Sequence, residues 1–255
     1  MRWLKRKRVE GKSLQICNLK QDAHDRRDFL LAPAFTPELP EKASLRKYAP
    51  NIKNQGAVGS CGSHALATAI EIRMAMGKYP MDLPLSERWH YYKVRQPDYM
   101  NTFPQDSGQY LRDGLRVAHN LGVSPEVLCP YDWRKYNEAP AWGSDSFARF
   151  FKINSYNRCY DLNAIKTAIA LGRPVMFGTL VNRSFLLNRD GKIVFPAQIN
   201  DPKAGGHAMV IDSYNDITES FGVINSWGSN WGRAGYCTIP YKWIEAFLLD
   251  AWAVE

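Results

Sequence analysis

Residues 54–72 read NQGAVGSCGSHALATAIEI, a glycine-rich turn that runs directly into an apolar stretch. Apolar residues recur there at intervals of three and four, which predicts a helix over 61–77. Ser60 is a suitable N-cap and Gly77 a suitable stop, so Cys61 falls in the first turn. Two interpretations compete: either the cysteine is an incidental core residue, or the helix begins here in order to hold a reactive thiol.

The chain changes character near its middle. Apolar periodicity and capping residues predict three further helices, over 85–95 with Ser86 as its cap, 108–122 and 162–172. Short runs rich in β-branched and aromatic residues then predict five strands, over 174–181, 192–196, 207–215, 220–227 and 235–240. Helices followed by mainly antiparallel strands indicate an α+β fold in which the two kinds of element are segregated.

Residues 1–42 are polar and charged, and their later part is punctuated by prolines. Pro33, Pro37 and Pro40 disfavour a helix and favour an extended run, the form in which a peptide enters a cleft. We predict an extension that lies across a globular domain spanning 43–255. It could restrain access to a site, or it could be a strap that only holds the domain together.

The composition is that of an ordinary globular protein, with 45% hydrophobic and 23% charged residues in a chain of 255. No apolar run reaches the ~20 residues that cross a bilayer, and no signal-peptide core follows the basic amino end. The net charge is +8. Part of it lies in a basic run at Arg2, Lys5, Arg6, Lys7 and Arg8. Such a run could touch nucleic acid, but a solvated tail is favoured because no nucleic-acid-binding motif occurs elsewhere.

The cysteines are odd in number and irregularly spaced, which disfavours a disulfide framework. They are Cys17, Cys61, Cys129, Cys159 and Cys237. This usage fits a reducing compartment, so we expect a cytoplasmic or similarly reducing location and no structural disulfide.

A thiol is a good nucleophile only as the thiolate, and a helix N-terminus favours that anion. Cys61 lies at such a position, among small residues that would let a substrate backbone come close. Gln55, a few positions upstream, could donate a hydrogen bond to an oxyanion together with the Cys61 backbone N–H.

The thiolate also needs a base, and His207 is the best placed of the five histidines. It stands at the mouth of a predicted strand, after a glycine pair that lets another backbone approach. Asn225 could hydrogen-bond one imidazole nitrogen and leave the other to face the thiol. Trp227 could shield that hydrogen bond from water.

His64 is the main rival for the role of base, because it follows Cys61 closely on the same helix. Its side chain points from the helix in a different direction from that of Cys61, and we expect hydrogen bonds in the first turn to hold it away from the cleft. A metal site built on the pair lacks further ligands, so no metal is predicted. The other histidines fit surface or half-buried roles; they are His24, His90 and His119.

Three segments together resemble the papain family of cysteine peptidases. They are QGAVGSC at 55–61, GGHA at 205–208 and NSWGSNWGRAGY at 225–236. The resemblance covers roughly 43–255. The family places its histidine and asparagine ~130–150 residues after the nucleophile, and Asn225 lies slightly beyond that spacing.

By this resemblance Cys61 is the nucleophile and His207 the base. Asn225 would orient the imidazole, and Gln55 would donate to the oxyanion. SGQYLRDGLRVAHNLGV followed by PYDW resembles the family's substrate-lining glycine segment and the helix behind it. The substrate-binding residues so implied are Ser107, Gly108, Gly206 and Trp227.

The fold implied is α+β and two-lobed, with the active site in the cleft between the lobes. A helical lobe would span about 43–150, and an antiparallel, β-barrel-like lobe about 151–255. Two departures stand out: Gly62 replaces the usual aromatic residue after the nucleophile, and Val58 replaces a cysteine that the family pairs in a disulfide. With only the short extension in place of the long inhibitory prosegment, the pattern is similar to compact microbial or viral members.

The implied reaction is hydrolysis of peptide bonds through an acyl-enzyme, with no cofactor. The expected partner is a peptide or protein substrate; no membrane partner is expected, nucleic-acid binding is disfavoured, and no sequence signal sets an oligomeric state. Two alternatives stay open. One is an acyltransferase or peptide ligase with the same triad, and the other is a catalytically silent peptide-binding homologue.

Overall fold

A computed structural model describes residues 15–31, 38–77, 82–195 and 201–255. Its strands within these ranges are β1 (Lys42–Ser44), β2 (Tyr156–Arg158), β3 (Val175–Asn182), β4 (Lys203–Asn215), β5 (Ser220–Ile224), β6 (Tyr236–Pro240) and β7 (Leu248–Val254). They form one sheet in the order β2-β7-β3-β4-β5-β6, and β1 pairs with the far end of β4. Every pairing is antiparallel.

The helices of the described residues are α1 (Cys61–Met76), α2 (Glu87–Val94), α3 (Leu111–Asn120), α4 (Ser144–Ala148), α5 (Leu162–Ala170), α6 (Arg183–Leu186) and α7 (Tyr241–Phe247). Short 3-10 turns lie at Arg46–Tyr48, Glu126–Leu128 and Trp133–Lys135. The predicted segregation is confirmed: α1 to α4 precede most of the sheet along the chain, and an antiparallel sheet dominates the second half.

All four predicted helices form, each at or inside its predicted bounds. The Ser86 hydroxyl accepts the Trp89 backbone N–H and caps α2 as expected. Ser60 does stand before α1, but its side chain makes no capping hydrogen bond. The Ser60 hydroxyl instead lies 2.9 Å from the Tyr131 hydroxyl, which draws it toward a different loop.

Helix α1 is the central element of the molecule. It packs on β3 and β4 on one side and on α2 and α3 on the other. Its residues from Cys61 to Ile72 are all buried, so the helix has no solvated face along that length. The core around it is filled by large side chains such as Phe177, Phe221 and Trp252.

The predicted strand over 192–196 is wrong for its described residues, 192–195. Only isolated pairing with Thr238 occurs, through Lys192 and the Ile193 N–H. The Asn188 side chain accepts the Gly191 N–H and donates to the Lys192 carbonyl, which fixes a turn where a strand would begin. Residue 196 lies outside the described residues.

Strand β1 joins the sheet through β4, so the boundary predicted at residue 43 falls inside a strand. Among the prolines of the extension, Pro33 and Pro37 lie outside the described residues. No helix in the described ranges is both long and apolar enough to cross a membrane.

Candidate active site

Cys61 is the first residue of α1, and its side chain is fully buried. Burial raises the pKa of the thiol to about 11, which the backbone N–H groups of Ala208 and Gly62 partly oppose. The negative charge of Asp106 raises it further. The Ala208 N–H belongs to the residue after His207, so α1 brings the thiol to the strand that carries the histidine.

His207 is buried in β4, and its ring stacks on Trp227 with centroids 4.2 Å apart. Its Nε2 lies 2.7 Å from the Asn225 Oδ1. That oxygen also accepts the Ser226 backbone N–H at 2.8 Å, so it is the carbonyl side of the amide and His207 Nε2 must be the donor. The other ring nitrogen, Nδ1, is therefore the basic one.

Nδ1 of His207 is buried and has no hydrogen-bond partner among the residues that the structure describes. Burial lowers the pKa of the imidazole to about 4, although the Asn225 hydrogen bond works in the opposite direction. The imidazole is thus neutral, and its Nδ1 is free to accept a proton. This is the state that a proton acceptor needs before it takes a proton from a thiol. His207 directly precedes Ala208, whose backbone N–H bonds to the Cys61 thiol.

Gln55 is fully buried and its side-chain amide is held at both ends. Its Oε1 accepts the Ser226 hydroxyl at 2.8 Å, and its Nε2 donates to the Val58 carbonyl at 3.0 Å. The Gln55 backbone N–H also donates to the Ser226 carbonyl. One Nε2 hydrogen is used in these bonds, which leaves the second available to a group in the cleft.

His64 is turned away from this arrangement. Its Nδ1 lies 3.0 Å from the Ser60 carbonyl, one turn back in the same segment, and its ring meets the Tyr131 ring edge-on. It borders a separate cavity of about 670 Å³. That cavity also contains the buried ion pairs of Lys53 with Glu71 and Glu87.

No cluster of three or more potential metal ligands occurs in the described residues. All five cysteines are free thiols.

The wall of the cleft formed by Ser107 and Gly108 is held by Asp106 and Tyr91, two residues that sequence reasoning missed. The Asp106 Oδ1 accepts the Gly59 N–H at 3.0 Å and the Tyr91 hydroxyl at 2.6 Å. The Gly108 N–H donates to the same Tyr91 hydroxyl, and Gly108 has a φ of 67°, which suits glycine. The hydroxyl of Ser107, the residue before Gly108, shares a hydrogen bond with the hydroxyl of Thr102. No local pattern signals these contacts, because the residues that make them come from three separate segments.

The N-terminal segment occupies the cleft. Leu19 donates its N–H to the Gly206 carbonyl, and Lys20 donates to the Gln109 carbonyl, both at 3.0 Å. Asn18 pairs with Gly206, and its side chain lies where a side chain on Gly59 would begin. Residues 18–20 therefore bridge the strand that bears His207 and the wall that bears Gly108.

Beyond the cleft the segment is anchored by buried charges. The Asp28 carboxylate pairs with Arg112 at 2.7 Å and with Arg158 at 2.8 Å. Arg158 also pairs with Asp250 at 2.6 Å, and Asp250 accepts the Asp22 N–H. These side chains are mostly buried, and the network links the segment to α3, β2 and β7.

A sequence model of the family described as papain family cysteine protease matches residues 39–246, most of the chain. The chain belongs to this family. The predicted papain-like fold and the hydrolase class are thereby confirmed, since cysteine proteases of this family are hydrolases.

Among solved structures, the chain is similar to xylellain, a cysteine protease from Xylella fastidiosa, with a TM-score of 0.83 and 30% identity. The likeness covers 98% of this chain and 99% of that one.

Two relatives by sequence show the breadth of the papain family. An uncharacterized peptidase C1-like protein of Acanthamoeba polyphaga mimivirus is 29% identical over 216 residues, 79% of this chain and 68% of that protein. Pro-cathepsin H of Mus musculus is also 29% identical, over 74% of this chain and 55% of its own length. The chain thus spans about half the length of the cathepsin precursor.

Proposed function

We propose that this papain-family protein hydrolyses peptide bonds with Cys61 as nucleophile and His207 as base. One observation carries the proposal: the His207 imidazole has its Nε2 fixed by Asn225 and its Nδ1 buried and unpartnered within the described part of the chain. A histidine with a purely structural role would use both nitrogens, because a buried polar atom without a partner is costly.

In the proposed reaction the Cys61 proton passes to His207 Nδ1 and the sulfur attacks the peptide carbonyl. The Gln55 Nε2–H and the Cys61 backbone N–H donate to the resulting oxyanion. The imidazolium then protonates the leaving amine, and an acyl-enzyme remains. Water, activated by the same Nδ1, attacks the thioester and frees the acid.

Substrate would enter between Gly206 and Gly108, with Ser107 and Trp227 beside it. The N-terminal segment now bonds to the carbonyls of Gly206 and of Gln109, the residue after Gly108, which supports this choice of path and sets a condition. Residues 18–20 must leave the cleft before a peptide can bind. We assign the catalytic unit to residues 43–255 and treat the preceding segment as its cover.

The covered cleft also explains the protonation state. Burial is the largest cause of both the high thiol pKa and the low imidazole pKa. Departure of the segment readmits water, and that change moves both pKa values toward formation of the thiolate–imidazolium pair. The closed state therefore holds the nucleophile neutral.

A quenched fluorescent peptide library, followed by mass spectrometry of the products, tests the function. The wild-type chain should release free carboxylates, and Cys61→Ala should release none while melting at the wild-type temperature. A second incubation with an added amine separates hydrolysis from ligation, because a ligase would yield mainly amide product. Absence of any product together with tight binding of the peptides would support a silent binding protein instead.

A further inference from the structure

A second cysteine lies at the edge of the cleft, against the strand that carries His207. Cys17 precedes the residues that cross the cleft, and its Cβ is 3.3 Å from the point where a side chain on Gly205 would begin. Its carbonyl oxygen lies against the same glycine. Cys17 is thus packed against Gly205, two residues before His207 on β4, and a side chain at position 205 would displace it.

The next residue ties Cys17 to the Cys61 side as well. The Asn18 side chain lies against Gly59, two positions before Cys61, and its carbonyl lies against Gly108. Residues 17 and 18 together therefore lie between the strand of His207 and the loop that leads into α1.

The electrostatics of Cys17 agree with this placement. Burial raises the pKa of the Cys17 thiol, and a negative charge on Cys61 raises it further. Of the other cysteines, Cys159 and Cys237 are buried in the core and Cys129 belongs to a separate apolar cluster.

We propose that Cys17 and Cys61 form a peroxide-sensitive dithiol, in which Cys17 is the resolving thiol for the nucleophile. The proposal rests on the role assigned to Cys61 above. When the segment opens, the Cys61 thiol attacks one oxygen of hydrogen peroxide, forming a sulfenic acid and releasing water. When the segment returns to the cleft, the Cys17 sulfur attacks the sulfenic sulfur, forming the disulfide and a second water. Two thiols lose two electrons, and one peroxide is reduced to two waters.

The disulfide has two consequences. It fastens the N-terminal segment in the cleft, so peptide hydrolysis stops. It also protects Cys61 from the sulfinic and sulfonic states, which thiol reductants do not reverse. Reduction by a dithiol restores both cysteines, so inactivation by peroxide is reversible.

The test uses the full chain, first reduced and then exposed to hydrogen peroxide. Remaining thiols are blocked with N-ethylmaleimide, and the protein is digested without reductant for mass spectrometry. The expected product is one cross-linked species joining the Cys17 and Cys61 peptides, about 2 Da lighter than their sum. This measurement needs no peptidase activity, so it decides the dithiol even if the proposed function fails.

Cys17→Ser is the matched control, since it keeps the size and removes only the resolving thiol. After peroxide and then dithiothreitol, the wild type should regain most of its hydrolysis, and the variant should regain several-fold less because its Cys61 is over-oxidised. The variant should melt at the wild-type temperature. The proposal is overturned if wild-type Cys17 stays alkylated by N-ethylmaleimide while Cys61 becomes sulfinic, or if neither cysteine reacts at peroxide levels that oxidise Cys61 in the variant.

Discussion

Leu19→Ala is expected to open the cleft. Leu19 is 7% exposed, and its side chain packs where a side chain on Gly178 would lie, close to Leu249. It is the buried apolar side chain of the segment that crosses the cleft. Truncation to alanine leaves the backbone hydrogen bond to Gly206 in place and removes most of the apolar contact.

The magnitude follows from burial. Covering a leucine side chain is worth about 1.5–3 kcal/mol, and most of that is lost on truncation to alanine. Each 1.4 kcal/mol is about a factor of ten in an equilibrium, so the open fraction should rise by roughly 10- to 100-fold. A ligand that needs the open state binds in proportion to that fraction.

The assay is the second-order rate at which a peptidyl chloromethyl ketone labels Cys61, mapped by mass spectrometry. Leu19→Ala should label roughly 10- to 100-fold faster than the wild type, in proportion to its larger open fraction. Phe29→Ala is the matched control, because that side chain is 76% exposed in the same segment. It should label at the wild-type rate. Deletion of residues 1–32 gives the upper limit.

The reasoning is refuted if Leu19→Ala labels no faster than Phe29→Ala while both variants stay folded. That result would mean that the segment is a strap and that the electrophile reaches the thiol by another path. A rise in labelling for both variants would instead show that any weakening of the segment opens the cleft.

Three further predictions concern the base, the anchor and the cleft wall. His207→Ala should abolish hydrolysis and His64→Ala should leave most of it, since the His64 Nδ1 already bonds to the Ser60 carbonyl. The reverse order of effects would overturn the base assignment. Burial raises the pKa of Asp22 to about 6 and of Asp250 to about 7. Folding therefore takes up protons at these two carboxyls, and their contribution to the free energy of unfolding is complete below pH ~4 and lost as the pH rises through 6 to 7. The melting temperature of the wild type should fall more steeply than that of Asp22→Asn between pH 5 and 8, whereas parallel curves would contradict this. Asp106→Ala loses the acceptor of two hydrogen bonds worth about 1.5–3 kcal/mol each, so both kcat/KM and the melting temperature should drop. Asp106→Asn keeps an acceptor oxygen and should restore much of both. Equal losses in the two variants would show that the charge of Asp106, not its acceptor oxygen, matters.

Elements that depend on local signals were predictable from the sequence. Helix α1 follows from its apolar spacing and α2 from its Ser86 cap, and both form where the pattern places them. The central strand β4 is longer than predicted, because its early residues pair with the end of β3. The triad candidates could be named because cysteine, histidine and asparagine stand in short motifs with glycine neighbours.

Features that depend on distant contacts were not predictable. Strand β7 was missed, since Asp250 interrupts its apolar run; in the fold Asp250 is buried and paired with Arg158. The turn that replaces the strand at 192–195 depends on the Asn188 side chain, whose choice of partner no periodicity reveals. The path of residues 18–20 follows from free backbone groups on Gly206 and Gln109 that only the folded domain brings together.

Val58 links the cleft wall to the redox chemistry of the site. At this position the family has a cysteine paired in a disulfide, whereas here Val58 is buried against Trp89 and Tyr91. The neighbouring Gly59 is instead held by the Asp106 carboxylate, a bond that neither oxidant nor reductant breaks. Reductant can therefore act on the proposed Cys17–Cys61 disulfide without loosening the wall that shapes the cleft. A wall held by a disulfide would not allow that separation, because the same reductant that releases the nucleophile would weaken the site that it serves.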